Sequence, residues 1–96
     1  MIKPPHPGEI IQEDYLVPLG MSVNHLAEGL GVGATRLNEI VRGKRGISAD
    51  TALRLARYFG TSAEFWLNLQ SLYDLRMAES KARTRIEREV MPLKVA

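Results

Sequence analysis

The sequence predicts an all-α domain of five helices, and two features of the chain support this fold class. Apolar residues recur at the spacing of one buried helical face, and the clearest run fills positions i, i+3, i+4 and i+7 with Val23, Leu26, Ala27 and Leu30. Glycine or proline follows the predicted helical segments, and these residues end helices or form turns. The chain of 96 residues is long enough for one domain with its own small core.

The first helix is predicted to begin at Pro7. Residues 1–7 hold three of the five prolines and are predicted to form an extended arm that leads into it. Acidic residues occupy the early turns, where the helix dipole favours negative charge: Glu9, Glu13 and Asp14. Pro18 and Gly20 are predicted to end the helix. His6 has no second ligand or nucleophile at a useful spacing, so it is interpreted as structural.

Residues 22–42 are predicted to form a helix, a glycine turn and a second helix. Ser22 is positioned to accept a backbone N–H at the start of the first of these. The turn at residues 31–33 contains two glycines, which tolerate the left-handed backbone that ends a helix. The second helix runs from about Ala34 to Arg42. This arrangement is typical of a helix-turn-helix, whose second helix enters the major groove of DNA.

The second helix of this pair is the candidate DNA-reading element. Its outer side carries Ala34, Thr35, Arg36, Asn38, Glu39 and Arg42. Gly43 is predicted to end the helix, and Lys44 and Arg45 follow in a basic loop before Ser48 caps the fourth helix. Such a loop suits the phosphates of a DNA backbone.

The placement of charge favours a polyanionic partner. Residues 36–57 contain six basic and two acidic residues, whereas residues 9–28 contain four acidic residues and no lysine or arginine. A solvated surface normally interleaves the two signs, so one basic side is predicted. The net charge of +2 carries no such signal by itself. The alternative is a three-helix segment of a small all-α domain whose middle helix has a solvated polar face.

Two more helices are predicted after the basic loop. The inner face of the fourth helix is predicted to contain Ile47, Ala49, Ala52, Leu53, Ala56 and Phe59. Gly60 ends it, and Thr61 with Glu64 forms a predicted capping box that starts the fifth helix. One face of the fifth helix is predicted to consist of Phe65, Trp66, Leu69, Leu72 and Tyr73.

Leu67 and Leu75 project outside that face on a helical wheel, and one core cannot bury both sides of a helix. Exposed together, they form an apolar patch of the kind that marks an interaction site. The simplest partner is a second copy of the chain, because a two-fold dimer reads palindromic DNA with its recognition helices about 34 Å apart. Leu67 and Leu75 are therefore the predicted dimer interface.

Residues 22–59 resemble the Cro/CI-type (XRE) helix-turn-helix family. A more specific resemblance, to the HigA/VapI antitoxins, is carried by HPGEI at 6–10, RGKRGISADTALRLARYFG at 42–60, TSAEFWLNLQ at 61–70 and YDL at 73–75. The resemblance implies a lambda-repressor-like domain over residues 1–75 that dimerises and binds a palindromic operator in double-stranded DNA. It further implies that the domain represses its own operon and neutralises a toxin of the HigB/RelE type.

The resemblance also implies roles for individual residues. The base-reading set is Ala34, Thr35, Arg36, Asn38 and Glu39, and the phosphate-binding set is Arg42, Lys44 and Arg45. Arg36 is expected to read guanine, Asn38 adenine and Glu39 cytosine, with each good pair contributing about 1–3 kcal/mol of discrimination. Two residues depart from the family pattern. Val23 replaces a polar residue that braces the recognition helix, and Gly33 replaces the proline or polar residue usual at its start.

Residues 76–96 lie outside the resemblance and are predicted to form a C-terminal helical extension or a tail. Their charged residues and alanines favour a continuation of the fifth helix that frays, and Pro92 limits it. Two interpretations stay open for this segment. It is either solvated, or its apolar residues fold onto a toxin: Ile86, Val90, Met91 and Leu93.

Composition restricts the other function classes. The chain has no cysteine, which excludes thiol chemistry and fits a reducing cytoplasm. No metal-ligand spacing or phosphate loop indicates an enzyme, a metal site or a cofactor. No apolar run approaches the roughly 18 residues of a membrane span, so we expect a soluble, cytoplasmic bacterial protein that associates with the nucleoid when bound to DNA. A plain XRE regulator without a toxin, and an interaction module that no longer binds DNA, are the alternatives.

Overall fold

The computed structural model describes residues 4–94 and contains five helices in them. The first, α1, consists of three consecutive segments, Pro7–Ile10, Ile11–Leu16 and Val17–Leu19, of which the middle one is π-helical. The other helices are α2 (Val23–Leu30), α3 (Ala34–Val41), α4 (Ala49–Phe59) and α5 (Ala63–Glu89). No strand occurs in the described residues, so the predicted all-α fold is confirmed. Part of the predicted N-terminal arm, residues 1–3, lies outside the described range, as do residues 95–96.

The helix α1 continues through Pro18 and ends at Gly20, whose φ of 62° lies in the left-handed region. Pro18 has no backbone N–H to donate. The π-helical segment before it has already shifted the bonding by one residue, since the Val17 N–H donates to the Gln12 carbonyl. Of the two predicted helix breakers, only Gly20 therefore ends α1.

The start of α1 is held by a buried histidine. His6 Nδ1 accepts a hydrogen bond from the Gly8 N–H at 2.9 Å, and the His6 ring meets the Tyr73 ring edge-on at 4.8 Å between centroids. His6 is only 4% exposed. The structural role predicted for His6 is confirmed.

The helices α1 and α3 cross at Gly8 with their backbones in contact. A Cβ atom at Gly8 would overlap the Ile40 carbonyl oxygen and would lie 2.9 Å from Val41 Cα. Only a residue without a side chain fits there. This crossing sets where the C-terminal end of α3 lies.

Trp66 occupies the centre of the core and has no exposed surface. Its ring lies 5.7 Å from the Tyr15 ring of α1 and 6.4 Å from the Phe59 ring of α4, measured between centroids. Fully buried aliphatic side chains from α1 to α4 complete the core: Ile11, Leu26, Leu37, Ile40 and Leu55. The core thus joins all five helices around one indole ring.

The N-cap of α5 is Ser62, whose Oγ accepts a hydrogen bond from the Phe65 N–H at 3.0 Å. The predicted capping box of Thr61 with Glu64 is therefore wrong. Thr61 Oγ1 instead accepts the Trp66 Nε1–H at 2.7 Å, because a buried indole N–H needs a partner.

The inner face of α4 is rotated relative to the prediction. Thr51, Ala52 and Leu55 are fully buried, whereas Leu53 is 63% exposed and Ala49 is also exposed. The predicted burial of Ala49 and Leu53 is wrong, because α4 packs against α2 and α5 through the stripe that contains Leu55.

The helix α5 carries one stripe against the core and another that faces away from it. Trp66 and Leu69 belong to the core stripe. Phe65 and Leu72, both predicted to be inside, are 40% and 44% exposed, so their predicted burial is wrong.

Leu67 is partly buried and packs against the core, so its predicted exposure at a dimer interface is wrong. It lies between the two stripes of α5, and its side chain reaches the inner one. Leu75 is 54% exposed, as predicted.

The second half of α5 projects from the rest of the domain. The helix has 27 residues and passes residue 75 without a break, ending at Glu89 before Pro92. This part of α5 carries ion pairs between side chains three or four residues apart. Glu79 pairs with Arg76 at 2.8 Å and with Arg83 at 2.9 Å. The molecule measures 56 × 24 × 21 Å because of this projection. Within residues 4–94, no helix has the length and apolar character needed to cross a membrane.

Candidate nucleic-acid interface

The pair α2 and α3 forms the predicted helix-turn-helix. Ser22 Oγ accepts the His25 N–H at 3.0 Å at the start of α2, as predicted. Gly31 ends α2 with a φ of 70°, and the Val32 N–H returns to the Ala27 carbonyl at 3.0 Å. Arg54 of α4 adds a bond that sequence reasoning missed, since its Nη1 donates to the Leu30 carbonyl at 2.9 Å. The turn is therefore held from both sides.

The helix α3 buries one side and exposes the other. Leu37 and Ile40 have no exposed surface, while Ala34, Thr35 and Asn38 are exposed. Gly33 is the N-cap of α3. It has no side chain, so the N–H groups in the first turn of α3 receive no capping hydrogen bond from it. The exposed side of α3 thus offers small and polar groups of the types that contact base edges.

Arg36 does not point away from the protein as predicted. Its Nη2 donates to Ser48 Oγ and to Thr51 Oγ1, both at 3.1 Å, and its Nε is buried. Arg36 stands four residues before the buried Ile40, so both lie on the flank of α3 that turns toward α4. The outward position predicted for Arg36 is therefore wrong. Arg36 instead links α3 to the first turn of α4.

We expect Arg36→Ala to lower the free energy of unfolding by about 1–2 kcal/mol, because it removes two hydrogen bonds from a charged donor that is only partly exposed. Urea unfolding followed by circular dichroism measures this change. Arg57→Ala is the matched control, because Arg57 is exposed on α4 and should change the free energy by no more than about 0.5 kcal/mol. Equal losses in the two variants would contradict the link.

Glu39 and Arg45, predicted for two separate contacts with DNA, contact each other. Arg45 Nη2 lies 3.0 Å from Glu39 Oε1, and the two side chains are 50% and 40% exposed. Ion pairs this exposed contribute little to stability, so the pair opens readily. In the protein without DNA, this ion pair holds the Arg45 side chain toward Glu39 of α3.

The basic loop, residues 43–47, begins with a tight turn. Gly43 has a φ of 75°, its N–H donates to the Ile40 carbonyl at 3.0 Å, and the Lys44 N–H donates to the Glu39 carbonyl at 2.8 Å. These two bonds form the motif that satisfies the last carbonyls of a helix. Arg42 and Lys44 are exposed beside this turn, and their phosphate role stays a prediction.

The other end of the basic loop is bound to α5, a contact that sequence reasoning missed. The Ile47 N–H donates to Gln70 Oε1 at 2.8 Å. In the sequence, Gln70 stands out only as part of the segment TSAEFWLNLQ, which carries the family resemblance. A resemblance of this kind does not say which residue Gln70 contacts. Among the described residues, no group of three or more His, Cys, Asp or Glu side chains could hold a metal ion.

The outward side of α5 is the remaining candidate surface. Leu75, Ala78 and Ile86 form the apolar part of one shallow groove, which is also lined by charged side chains: Glu79, Arg83 and Glu87. The groove lies on the part of α5 that projects from the domain, beyond the core residues Trp66 and Leu69.

Comparison with known proteins gives consistent matches. A helix-turn-helix family model matches residues 13–66. Virulence-associated protein I of Dichelobacter nodosus is 62% identical over 74 residues, which are 77% of this chain and 68% of that protein. The structure of Pseudomonas aeruginosa antitoxin HigA with the higBA promoter is similar, with a TM-score of 0.90 and 50% identity, over 95% of this chain and 99% of that one. So is antitoxin GraA in complex with its operator, with a TM-score of 0.91 and 44% identity, over 98% and 95% of the two chains.

Proposed function

Because the chain belongs to the XRE-type helix-turn-helix family, as a DNA-binding antitoxin of the HigA/GraA type, we propose that it acts as a homodimer that represses its own operon and neutralises a HigB/RelE-like toxin. The observation that carries the DNA-binding part is the exposed side of α3. It presents Thr35 and Asn38 next to a basic loop whose two ends are tethered.

Base reading is assigned to Ala34, Thr35 and Asn38. Asn38 suits adenine, whose edge accepts and donates one hydrogen bond each, and the Thr35 methyl suits thymine. Glu39 joins this set only where Arg45 leaves it for a phosphate, and the high exposure of the pair supports such an exchange. Arg36 is withdrawn from the set, because its donors are engaged with Ser48 and Thr51.

Phosphate binding is assigned to Arg42, Lys44 and Arg45, all of which are exposed. These contacts set the register of α3 on the duplex without reading sequence. One protomer then neutralises about three phosphates and a dimer about six. A dimer is therefore needed for the affinity of a firmly bound repressor.

The proposed dimer interface is the outward stripe of α5. Leu75 and Ile86 are 54% and 47% exposed and line the same groove, and Leu72 extends the stripe toward the domain. A stripe of this kind suits packing against the same stripe of a second copy, since two-fold interfaces pair one surface with itself. Leu67 is withdrawn from the interface because it packs inward.

The toxin partner and the cytoplasmic, nucleoid-associated location follow the proposed class. The similarity to chains named as antitoxins supports a toxin partner. Footprinting on the upstream region with the purified product of the neighbouring gene tests this part. A change of the footprint on adding that product supports the antitoxin, whereas no change and no complex between the two proteins leave a plain XRE regulator.

We expect the protein to bind the DNA upstream of its own gene with a log–log salt slope of roughly −5 or steeper, the value for about six released counterions. Fluorescence anisotropy titrations at several salt concentrations measure the slope. In the same assay, Asn38→Ala is expected to weaken operator binding by about 5- to 150-fold and to leave binding to unrelated DNA unchanged. A flat salt response would favour an interaction module that no longer binds DNA.

Lys81→Ala is the control for that titration. Lys81 is exposed on the projecting half of α5, away from α3, so its removal should change neither operator affinity nor the salt slope. If Lys81→Ala and Asn38→Ala weaken binding alike, the loss is not specific to the exposed side of α3, and the assignment of Asn38 to base reading is rejected.

A further inference from the structure

We propose that Gln70 is a positioning residue for DNA binding, which holds the basic loop so that Lys44 and Arg45 meet the phosphates. The inference rests on the proposed DNA-binding function and adds a residue of α5 to it. Gln70 itself lies behind the loop and is only partly exposed.

Both ends of the Gln70 amide are engaged. Its Oε1 accepts the Ile47 N–H at 2.8 Å, and its Nε2 donates to Asp74 Oδ1 at 2.9 Å. The reverse orientation would turn the NH₂ group toward the Ile47 N–H and the oxygen toward a carboxylate, so the amide has one favourable orientation. Asp74 thus fixes the side chain that holds Ile47.

The loop backbone lies directly against this amide. A Cβ atom at Gly46 would be 3.1 Å from both the Gln70 amide carbon and Nε2, which is closer than ordinary packing allows. The φ of Gly46 is not in the left-handed region. The contact with Gln70, and not backbone conformation, is therefore what restricts the residue at position 46.

The basic loop is anchored at two points with the cations between them. The first anchor is the turn at Gly43, where the Lys44 N–H donates to the Glu39 carbonyl at 2.8 Å. The second is the bond from Ile47 to Gln70. Without the second anchor, this end of the loop is held only by the buried Ile47 side chain. The loop backbone must then be ordered further when DNA binds, which lowers affinity.

The anchor also joins the loop to the proposed dimer helix. Gln70 lies on the same helix as Leu75, about one and a half turns before it. The two phosphate-binding loops of a dimer are therefore fixed relative to the helix pair that sets the spacing of the recognition helices.

The test uses Gln70→Met, which keeps the length of the side chain and removes both hydrogen bonds. We expect operator binding to weaken about fivefold to tenfold. Binding to unrelated DNA should weaken by the same factor, because phosphate contacts carry no sequence information. Amide hydrogen exchange of Ile47 should become faster while the amides of α2 and the core keep their protection.

A double-mutant cycle separates positioning from a general structural role. In a Lys44→Ala/Arg45→Ala background, Gln70→Met should have no further effect on affinity, because the groups it positions are gone. An effect that adds in full to that of the background, or an unchanged affinity despite faster exchange at Ile47, overturns the proposal. Asp74→Asn is the matched control, because the amide oxygen of the new asparagine can still accept the hydrogen bond from Gln70. The operator affinity of this variant should stay near that of the wild type.

If Gln70→Met does not unfold cooperatively, Gly46→Ala tests the same contact by pushing the amide aside without removing it. Gly46→Ala should also weaken operator binding, but only when Lys44 and Arg45 are present. Failure of the underlying DNA-binding function has a different signature. The wild type would then show no salt-dependent binding, whereas Ile47 exchange would still respond to Gln70→Met.

Discussion

Gly8→Ala is expected to lower the free energy of unfolding by about 3 kcal/mol, the largest stability loss we predict for a single added methyl group. The new Cβ atom would overlap the Ile40 carbonyl oxygen and would approach Val41 Cα to 2.9 Å. These are backbone atoms of α3, so no flexible side chain can yield. Relief requires α1 and α3 to separate, which opens the core around Ile11 and Ile40.

Chemical denaturation of Gly8→Ala beside Gly33→Ala measures this effect. A Cβ atom at Gly33 would meet no atom within 4 Å, and the φ of Gly33 is −66°, so Gly33→Ala should cost less than about 1 kcal/mol, as a poorer N-cap only. If the two variants lose the same free energy, the close crossing of α1 and α3 is not a constraint in solution. Because the crossing lies at the end of α3, Gly8→Ala should also weaken operator binding.

Leu75→Glu is expected to convert the proposed dimer to a monomer and to weaken operator binding about 100-fold or more. A charge in a helix–helix interface must be desolvated without a partner, and the two copies of Leu75 put two such charges into one interface. A monomer would keep about three of the six phosphate contacts proposed for the dimer, so its log–log salt slope should fall to roughly −3. Sedimentation velocity and anisotropy titrations measure the two effects.

Leu53→Glu is the matched control for the interface. Leu53 is 63% exposed on α4, so the same substitution there should leave both the oligomeric state and the operator affinity unchanged. Leu67→Glu should instead destabilise the fold, because Leu67 packs against the core. A Leu75→Glu protein that sediments as a dimer would remove the outward stripe of α5 from the interface.

The features that the sequence predicted correctly depend on neighbours along the chain. Ser22 and Ser48 bond to an N–H three residues later, and Gly31 and Gly43 adopt the left-handed backbone within the turn itself. Each requires only a short stretch of chain, so residue type at a given spacing is sufficient evidence for it. The capping box of Thr61 failed because Ser62 competes for the same role and Trp66 needs the Thr61 hydroxyl.

The errors at the candidate site concern side chains on the flank of a helix. Arg36 lies between the buried and exposed sides of α3, and polarity alone favoured the exposed side. The two hydroxyls that bind it, on Ser48 and Thr51, come from another segment of the chain, the start of α4. Leu67 shows the converse, since a position off the apolar stripe of α5 still reaches the core.

By itself the sequence determined the helical fold, the helix-turn-helix with its exposed Thr35 and Asn38, and the basic loop, because hydrophobic period, caps and glycines act within a few residues. Only the tertiary structure decided that Arg36 links two helices, that Gly8 allows α1 and α3 to cross closely, and that Gln70 holds the basic loop. Each of these contacts joins segments far apart in the chain. The angle at which helices cross determines which side chains on their flanks can meet, and the spacing of residue types along one helix does not determine that angle.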